Sequence, residues 1–147
     1  MDEIQQVVIG LLLWDHRILL TQRHPSSVAA WSNAWQLPGG KVEPGETPEA
    51  GLVREWNEEL STDIDVGDLV WVSEVQHVTG YSKPFRLMAY VVSLRPTSGL
   101  RLTPAGGQAL LWEPLDQARS RTDALPSTQP AIDAYLQRLR GGDSGRA

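Results

Sequence analysis

The stretch Val7-Val8-Ile9-Gly10-Leu11-Leu12-Leu13-Trp14 is apolar from end to end, interrupted only by a glycine. It is far short of the ~20 residues that cross a bilayer, and it reads instead as a β-strand buried on both faces. Such a strand sits inside a fold, so the elements around it decide the class. Asp15-His16 marks a turn, and Arg17 to Gln22 returns as a hairpin partner. Residues 24–34 read as loop, and Trp35-Gln36-Leu37 as a short strand stopped by Pro38-Gly39-Gly40. Thr47 offers an N-cap with Pro48 at the first helical position and Glu49 in the first turn, for a helix to about Leu60. Residues 64–77 and 84–95 predict two strands joined around Thr79-Gly80-Tyr81, and Gln108 to Trp112 a last short one. Pro114 to Arg119 predicts a helical turn, and Pro130 to Arg140 a helix with Ile132, Tyr135, Leu136 and Leu139 on one stripe. The order is mixed α/β, in a single domain over residues 1–140 with a frayed tail over 141–147.

Composition narrows the partners. Of 147 residues 41% are apolar and 21% charged, which suits a packed core and excludes a wholly disordered chain. Acidic side chains outnumber basic ones 18 to 13, a net charge of −5. A general duplex-DNA or anionic-membrane binder would need a basic face, so neither nucleic acid nor membrane is an expected partner. With no cysteine there are no disulfides, thiolate metal sites or Cys nucleophiles. The opening Met1-Asp2-Glu3-Ile4 is acidic where a signal peptide would be basic, so a cytoplasmic protein is expected.

The chemistry concentrates between Gly39 and Leu60. At ~100° per residue, Glu55, Glu58 and Glu59 project from one narrow helical face, with Leu52, Val53, Trp56 and Leu60 on the adjacent apolar side. Gly51 lies within the acidic face and leaves a notch, which suggests a close approach there. Three carboxylates within one turn raise one another's pKa unless a cation sits among them. Oxygen ligands without His or Cys suit Mg²⁺, with Mn²⁺ as a substitute. The helix starts just after a glycine-rich loop, so its free N–H groups could help hold a phosphate oxygen. Taken alone, Glu-x-x-Glu-Glu is usually a solvated face, and Arg54–Glu58 a surface ion pair. A Walker loop is excluded, because Gly40-x4-Gly45 is followed by Glu46-Thr47 where Lys and Ser or Thr are required.

The whole spacing says more than any one residue. It resembles the Nudix box, Gly-x5-Glu-x7-Arg-Glu-U-x-Glu-Glu-x-Gly-U with U a bulky aliphatic, matched by Gly40, Glu46, Arg54, Glu55, Glu58 and Glu59. Trp56 stands at the first U, Ser61 replaces the last glycine and Thr62 the final aliphatic. Leu37-Pro38-Gly39-Gly40 is similar to the loop that leads into the family's box. The resemblance implies an α/β/α sandwich around a mixed sheet and Mg²⁺-dependent hydrolysis of a nucleoside diphosphate linked to another moiety. It implies Glu55, Glu58 and Glu59 as metal ligands, assisted by the backbone carbonyl of Gly39. Glu46 and Arg54 would brace the loop and orient Glu55, and Gly40 and Lys41 would lie at the phosphates.

Residues 4–140 look most like the MutT-type branch, which acts on nucleoside triphosphates. Leu125 to Ile132 resembles its base-binding segment, with Thr128 where that branch carries Asn or Asp. Arg23 matches a nucleotide-contacting position, and Gly106 stands where such sequences commonly place an additional glutamate. Three alternatives stay open: the box alone suffices, Glu43, Glu74 or Glu113 substitutes, or activity is weak. Of the 6 tryptophans, Trp14, Trp56, Trp71 and Trp112 are expected in the core; Trp31 in its loop, with Tyr81 or Phe85, could stack a base, although core or rim packing is the better reading of each. His77 is a further candidate for the pocket. The expected substrate is a small nucleotide, a (d)NTP or oxidised (d)NTP cleaved to NMP and pyrophosphate by a monomer or homodimer, with Thr128 weighing against selection of an oxidised guanine. The alternatives are another nucleoside diphosphate derivative, such as a nucleotide sugar or dinucleoside polyphosphate, or a nucleotide-binding module without turnover.

Overall fold

A computed structural model describes residues 3–23, 28–95 and 109–144. The first strand, β1 (Gln5–Trp14), is followed by β2 (Arg17–Gln22), a short 3-10 turn Ala29–Trp31, β3 (Trp35–Gln36) and β4 (Gly39–Lys41). Then come helix α1 (Pro48–Leu60), strands β5 (Ile64–Val72), β6 (Phe85–Leu94) and β7 (Leu110–Pro114), and helices α2 (Leu115–Ser120) and α3 (Thr128–Ser144). One mixed sheet of 7 strands runs β3-β2-β1-β6-β5, with β4 paired to β1 and β7 to β2.

The apolar run is the centre of this sheet. Along one edge β1 pairs in parallel with β6, from Gln5↔Phe85 to Leu12↔Val92. Along the other it pairs antiparallel with β4 over Val7 to Ile9 and with β2 at Leu13 and Trp14. Its alternate residues feed two cores. Val8 and Leu12 join Leu52, Trp56 and Leu60 of α1, while Ile9 and Leu11 join Ala118 of α2 and Ala131 and Ile132 of α3. Burial of each large side chain contributes about 1.5–3 kcal/mol, which makes these layers the main stabilising element. The α/β/α sandwich is thus the observed architecture.

Helix α1 begins as its sequence predicts: Thr47 caps it, its hydroxyl accepting from Ala50 N at 3.1 Å, with Pro48 next. It ends at Ser61, which adopts φ 51 and ψ 39, the left-handed conformation that favours glycine. Four expectations need correction. Strand β5 stops at Val72 rather than 77, because the Ser73 hydroxyl inserts itself, accepting from Leu87 N at 2.9 Å and donating to Glu74 O at 2.8 Å. Helix α3 is longer than the expected Pro130 to Arg140, running from Thr128 through Gly141 and Gly142 to Ser144. A glycine costs a helix only about 1 kcal/mol, and each added bond favours propagation. Trp14 is not core: it is 65% exposed at the end of β1, edge-on to Trp112 at 5.9 Å. His77 is exposed and does not line the cleft beside the glycine loop. Gly106, Gln108 and residues 145–147 lie outside the described residues.

Candidate active site

The loop and helix that carry the acidic motif are locked by one guanidinium. Arg54 forks onto Glu46, with Nε to Oε2 at 3.1 Å and Nη2 to Oε1 at 2.7 Å, while Nη2 also donates to the Lys41 carbonyl at 2.9 Å. Its Nη1 reaches Glu55 Oε1 at 3.0 Å and Glu58 Oε2 at 3.2 Å. Glu46 is braced further by Glu43 N at 2.8 Å. The notch at Gly51 has its explanation here, since a Cβ at that position would stand 2.9 Å from Glu46 Oε1. Gly40 is required for the same reason, because a side chain there would fall on the Glu55 carboxylate.

The three glutamates differ in surroundings. The Glu58 side chain is 59% exposed, while that of Glu55 is largely covered by the glycine loop. Glu59 is the most deeply placed, and its Oε2 is buried without a hydrogen-bond partner. Burial, reinforced by the neighbouring charge of Glu55, pushes the Glu59 carboxyl up to about 8. Burial likewise raises Glu55, against the lowering pull of Arg54, and the Arg54 hydrogen bonds hold Glu46 below the ordinary carboxylate range. A buried, unpartnered carboxylate oxygen beside a second raised carboxyl is a donor set in want of a cation, and its all-oxygen chemistry fits a hard divalent ion. Among the described residues no three such side chains converge closely enough to hold an ion, and Arg54 Nη1 lies between Glu55 and Glu58.

Gly39 and Gly40 also line a cleft of about 440 Å³, so the acidic helix and the cleft share a wall. Arg23, Gln36, Ser73, Gln76 and Ser127 supply its polar atoms, and Val7, Ile9, Leu37, Trp71 and Leu87 much of its apolar surface. Trp31, Tyr81 and Phe85 meet at the cleft, with ring centres 4.9 to 6.0 Å apart. Each of the two expected nucleotide-contacting cations rests on one of these rings, Arg23 over Trp31 at 5.5 Å and Lys41 over Tyr81 at 5.3 Å. Arg23 donates to Gln36 Oε1 at 3.2 Å, and its charge favours the ionised form of Glu59.

Thus Arg23, Gly40 and Tyr81 meet at the cleft, with Lys41 beside Tyr81. Thr128 does not join them: it is 2% exposed, its hydroxyl is unpartnered, and Ser127 is its neighbour that reaches the cleft. Glu113 is committed elsewhere, in a close ion pair with Arg121, which also grips Asp123 and covers Trp35 at 5.5 Å. Glu43 stands 3.6 Å from Arg54, and Glu74 is exposed after β5. Sequence reasoning missed the Arg121 cluster, which holds the segment before Leu125 and Ser127 against β3 through Trp35 N to Asp123 O and Leu125 N to Trp35 O. Glu113 and Asp123 lie near Arg121 in the chain, but Trp35, against which the cluster packs, is distant, so the whole leaves no local pattern.

An acidic helix set behind a glycine loop, on a sandwich of this topology, places the chain among known folds. It belongs to the Nudix family: the NUDIX domain model matches residues 4–135. It is 34% identical over 131 residues to the CTP pyrophosphohydrolase of Escherichia coli K12, covering 89% of this chain and 90% of that one. It is 32% identical to the MutT-like protein of Streptomyces ambofaciens, over 82% of this chain and 76% of that protein. In structure it is similar to the E. coli ORF135 protein, with TM-score 0.75 and 31% identity over 96% of this chain and 94% of the other. The MutT NUDIX hydrolase from Burkholderia pseudomallei shares the fold with TM-score 0.70 at 24% identity, over 90% and 98% of the two chains.

Proposed function

We propose that this MutT-like Nudix pyrophosphohydrolase uses Mg²⁺ to cleave a nucleoside triphosphate to the monophosphate and pyrophosphate. The observation that carries the reading is the shared wall at Gly39 and Gly40, with raised carboxyls behind it and an aromatic-lined cleft in front. Glu55, Glu58, Glu59 and the Gly39 carbonyl would hold the ion, with Mn²⁺ as a substitute. When bound, it neutralises charge on the phosphates and on the departing pyrophosphate. The chain's own groups do the rest. Arg54 keeps Glu46 and Glu55 in fixed rotamers, so the carboxylates meet the substrate without rearrangement. Arg23 rests on Trp31 and its charge acts on Glu59, and a phosphate would draw it from the ring. Trp31 and Tyr81 offer apolar faces for a base, and the pair Glu55 and Glu59 supplies the acceptor for the proton of the attacking water.

The CTP pyrophosphohydrolase and MutT-like relatives support a triphosphate over the other nucleoside diphosphate derivatives. Purified protein with Mg²⁺, offered a panel of ribo- and deoxyribonucleoside triphosphates and nucleotide sugars, should release pyrophosphate from a triphosphate. Glu58→Gln should lower that rate at least ~100-fold. Undiminished turnover in the variant would overturn the site, and binding without product over hours would overturn the activity.

A further inference from the structure

The acidic helix and the glycine loop must keep a fixed separation if carboxylates from one and a backbone carbonyl from the other are to serve one ion. A bond across that gap comes from Trp56. The side chain is fully buried, and its indole Nε1–H donates to the Pro38 carbonyl at 3.0 Å. The same oxygen accepts from Gly10 N at 2.9 Å. The peptide joining Pro38 to Gly39 is therefore held by α1 on one side and by β1 on the other. Beyond it the chain enters the register Ile9↔Gly39 and Val8↔Gly40, and the Val8 carbonyl fills the space a side chain on Gly39 would need.

Room for the indole is made by Gly10. A Cβ there would stand 2.8 Å from Cζ2 and 3.0 Å from Nε1 of Trp56. Glycine and tryptophan are thus matched twice, once because the absent side chain admits the ring, and again because the Gly10 amide shares its acceptor. An aliphatic residue at position 56 would fill part of the volume but bring no donor. The bond to Pro38 bears directly on Gly39, the next residue in the chain. A peptide is planar, so fixing the Pro38 oxygen fixes the Gly39 nitrogen and the plane from which Gly39 continues. Glycine has the widest torsional freedom of any residue, so Gly39 depends most on being held from outside.

We infer that Trp56 is a positioning residue for the cation site, its indole N–H setting the Gly39 carbonyl against the carboxylates of Glu55 and Glu59. The inference rests on the proposed reading of Gly39, Glu55, Glu58 and Glu59 as ligands. It is specific to this chain, because it depends on the aromatic residue where the box has an aliphatic one and on the glycine opposite.

The test is Mn²⁺ binding to the nucleotide-free protein, monitored by calorimetry or by the paramagnetic resonance of the ion. Trp56→Phe keeps an aromatic ring in the slot and removes the donor, and Trp56→Leu restores the box's residue type. Affinity should fall ~10–100-fold in both, the range for losing a group that orients a ligand. In turnover assays the Mg²⁺ concentration for half-activation should rise by a similar factor, while kcat at saturating Mg²⁺ changes far less. Wild-type binding with unchanged affinity in Trp56→Phe overturns the role of Trp56 alone. Failure of the wild type to bind Mn²⁺ overturns the ligand assignment and this inference with it. Should the variants not fold, the wild type decides. One of its 6 indole N–H resonances should resist deuterium exchange and shift as Mg²⁺ is added, and the lack of such a signal overturns the inference.

Discussion

Magnesium affinity should depend steeply on pH through Glu59. With its carboxyl pushed up to about 8 in the cation-free protein, Glu59 is only about 1% ionised near pH 6 and half ionised near pH 8. Binding requires the ionised form, so apparent affinity should rise about 50-fold across that interval and level off above it. The same group sets a stability slope. Its folded-state pKa lies above the ordinary 4.5, so the cation-free protein is most stable below that value and loses stability as pH rises through about 8. Added Mg²⁺ should reverse the loss at the alkaline end. Thermal melts from about pH 6 to about pH 9, with and without Mg²⁺, together with titration calorimetry, measure both effects. Glu59→Gln has no charge to desolvate, so its melting temperature should lose most of the slope and most of the response to Mg²⁺. Equal affinity at the two ends of the range, or an unchanged slope in the variant, would refute the reasoning.

Two further substitutions probe the frame around the site. Ser61→Gly relieves a left-handed serine worth about 1–2 kcal/mol, less what glycine loses in the unfolded chain, so net stability should rise by about 0.5–1 kcal/mol and turnover stay the same. Unfolding in denaturant checks this, and a decrease would show that the serine makes a contribution its backbone strain conceals. Thr128→Val removes a buried hydroxyl without a partner, so stability should hold or rise by about 1 kcal/mol, and the ranking of nucleotide substrates should not move. A changed ranking in the panel assay would return Thr128 to the base.

What could be read from the chain was whatever repeats within a few residues. Thr47, Pro48 and the glutamates at 55, 58 and 59 follow helix geometry alone, and the two-faced burial of β1 follows from an unbroken apolar run. The same logic misplaced Trp14, since a run shows that a strand is apolar and not where the sheet around it ends. Gly51 pointed to a close approach, but only the folded loop names Glu46 as what approaches. Gly10 beneath Trp56, Tyr90 donating to Glu49 at 2.7 Å, and Arg121 over Trp35 join segments with no common periodicity. Within the segment that resembles the base-binding one, Ser127, just before α3, lines the cleft, while Thr128 at the start of the helix is buried.

Arg54 has a consequence for how the protein is made. Metal-dependent folds whose acidic or thiolate clusters lack an internal counter-charge stay unfolded until an ion arrives. Here a covalently attached cation already sits among Glu46, Glu55 and Glu58. On the proposed reading, a newly synthesised chain would therefore complete its fold in a cell short of magnesium and wait. Loading would then be the exchange of one counter-ion's share of the carboxylates for another's, with assembly and activation as separate events in the life of the molecule.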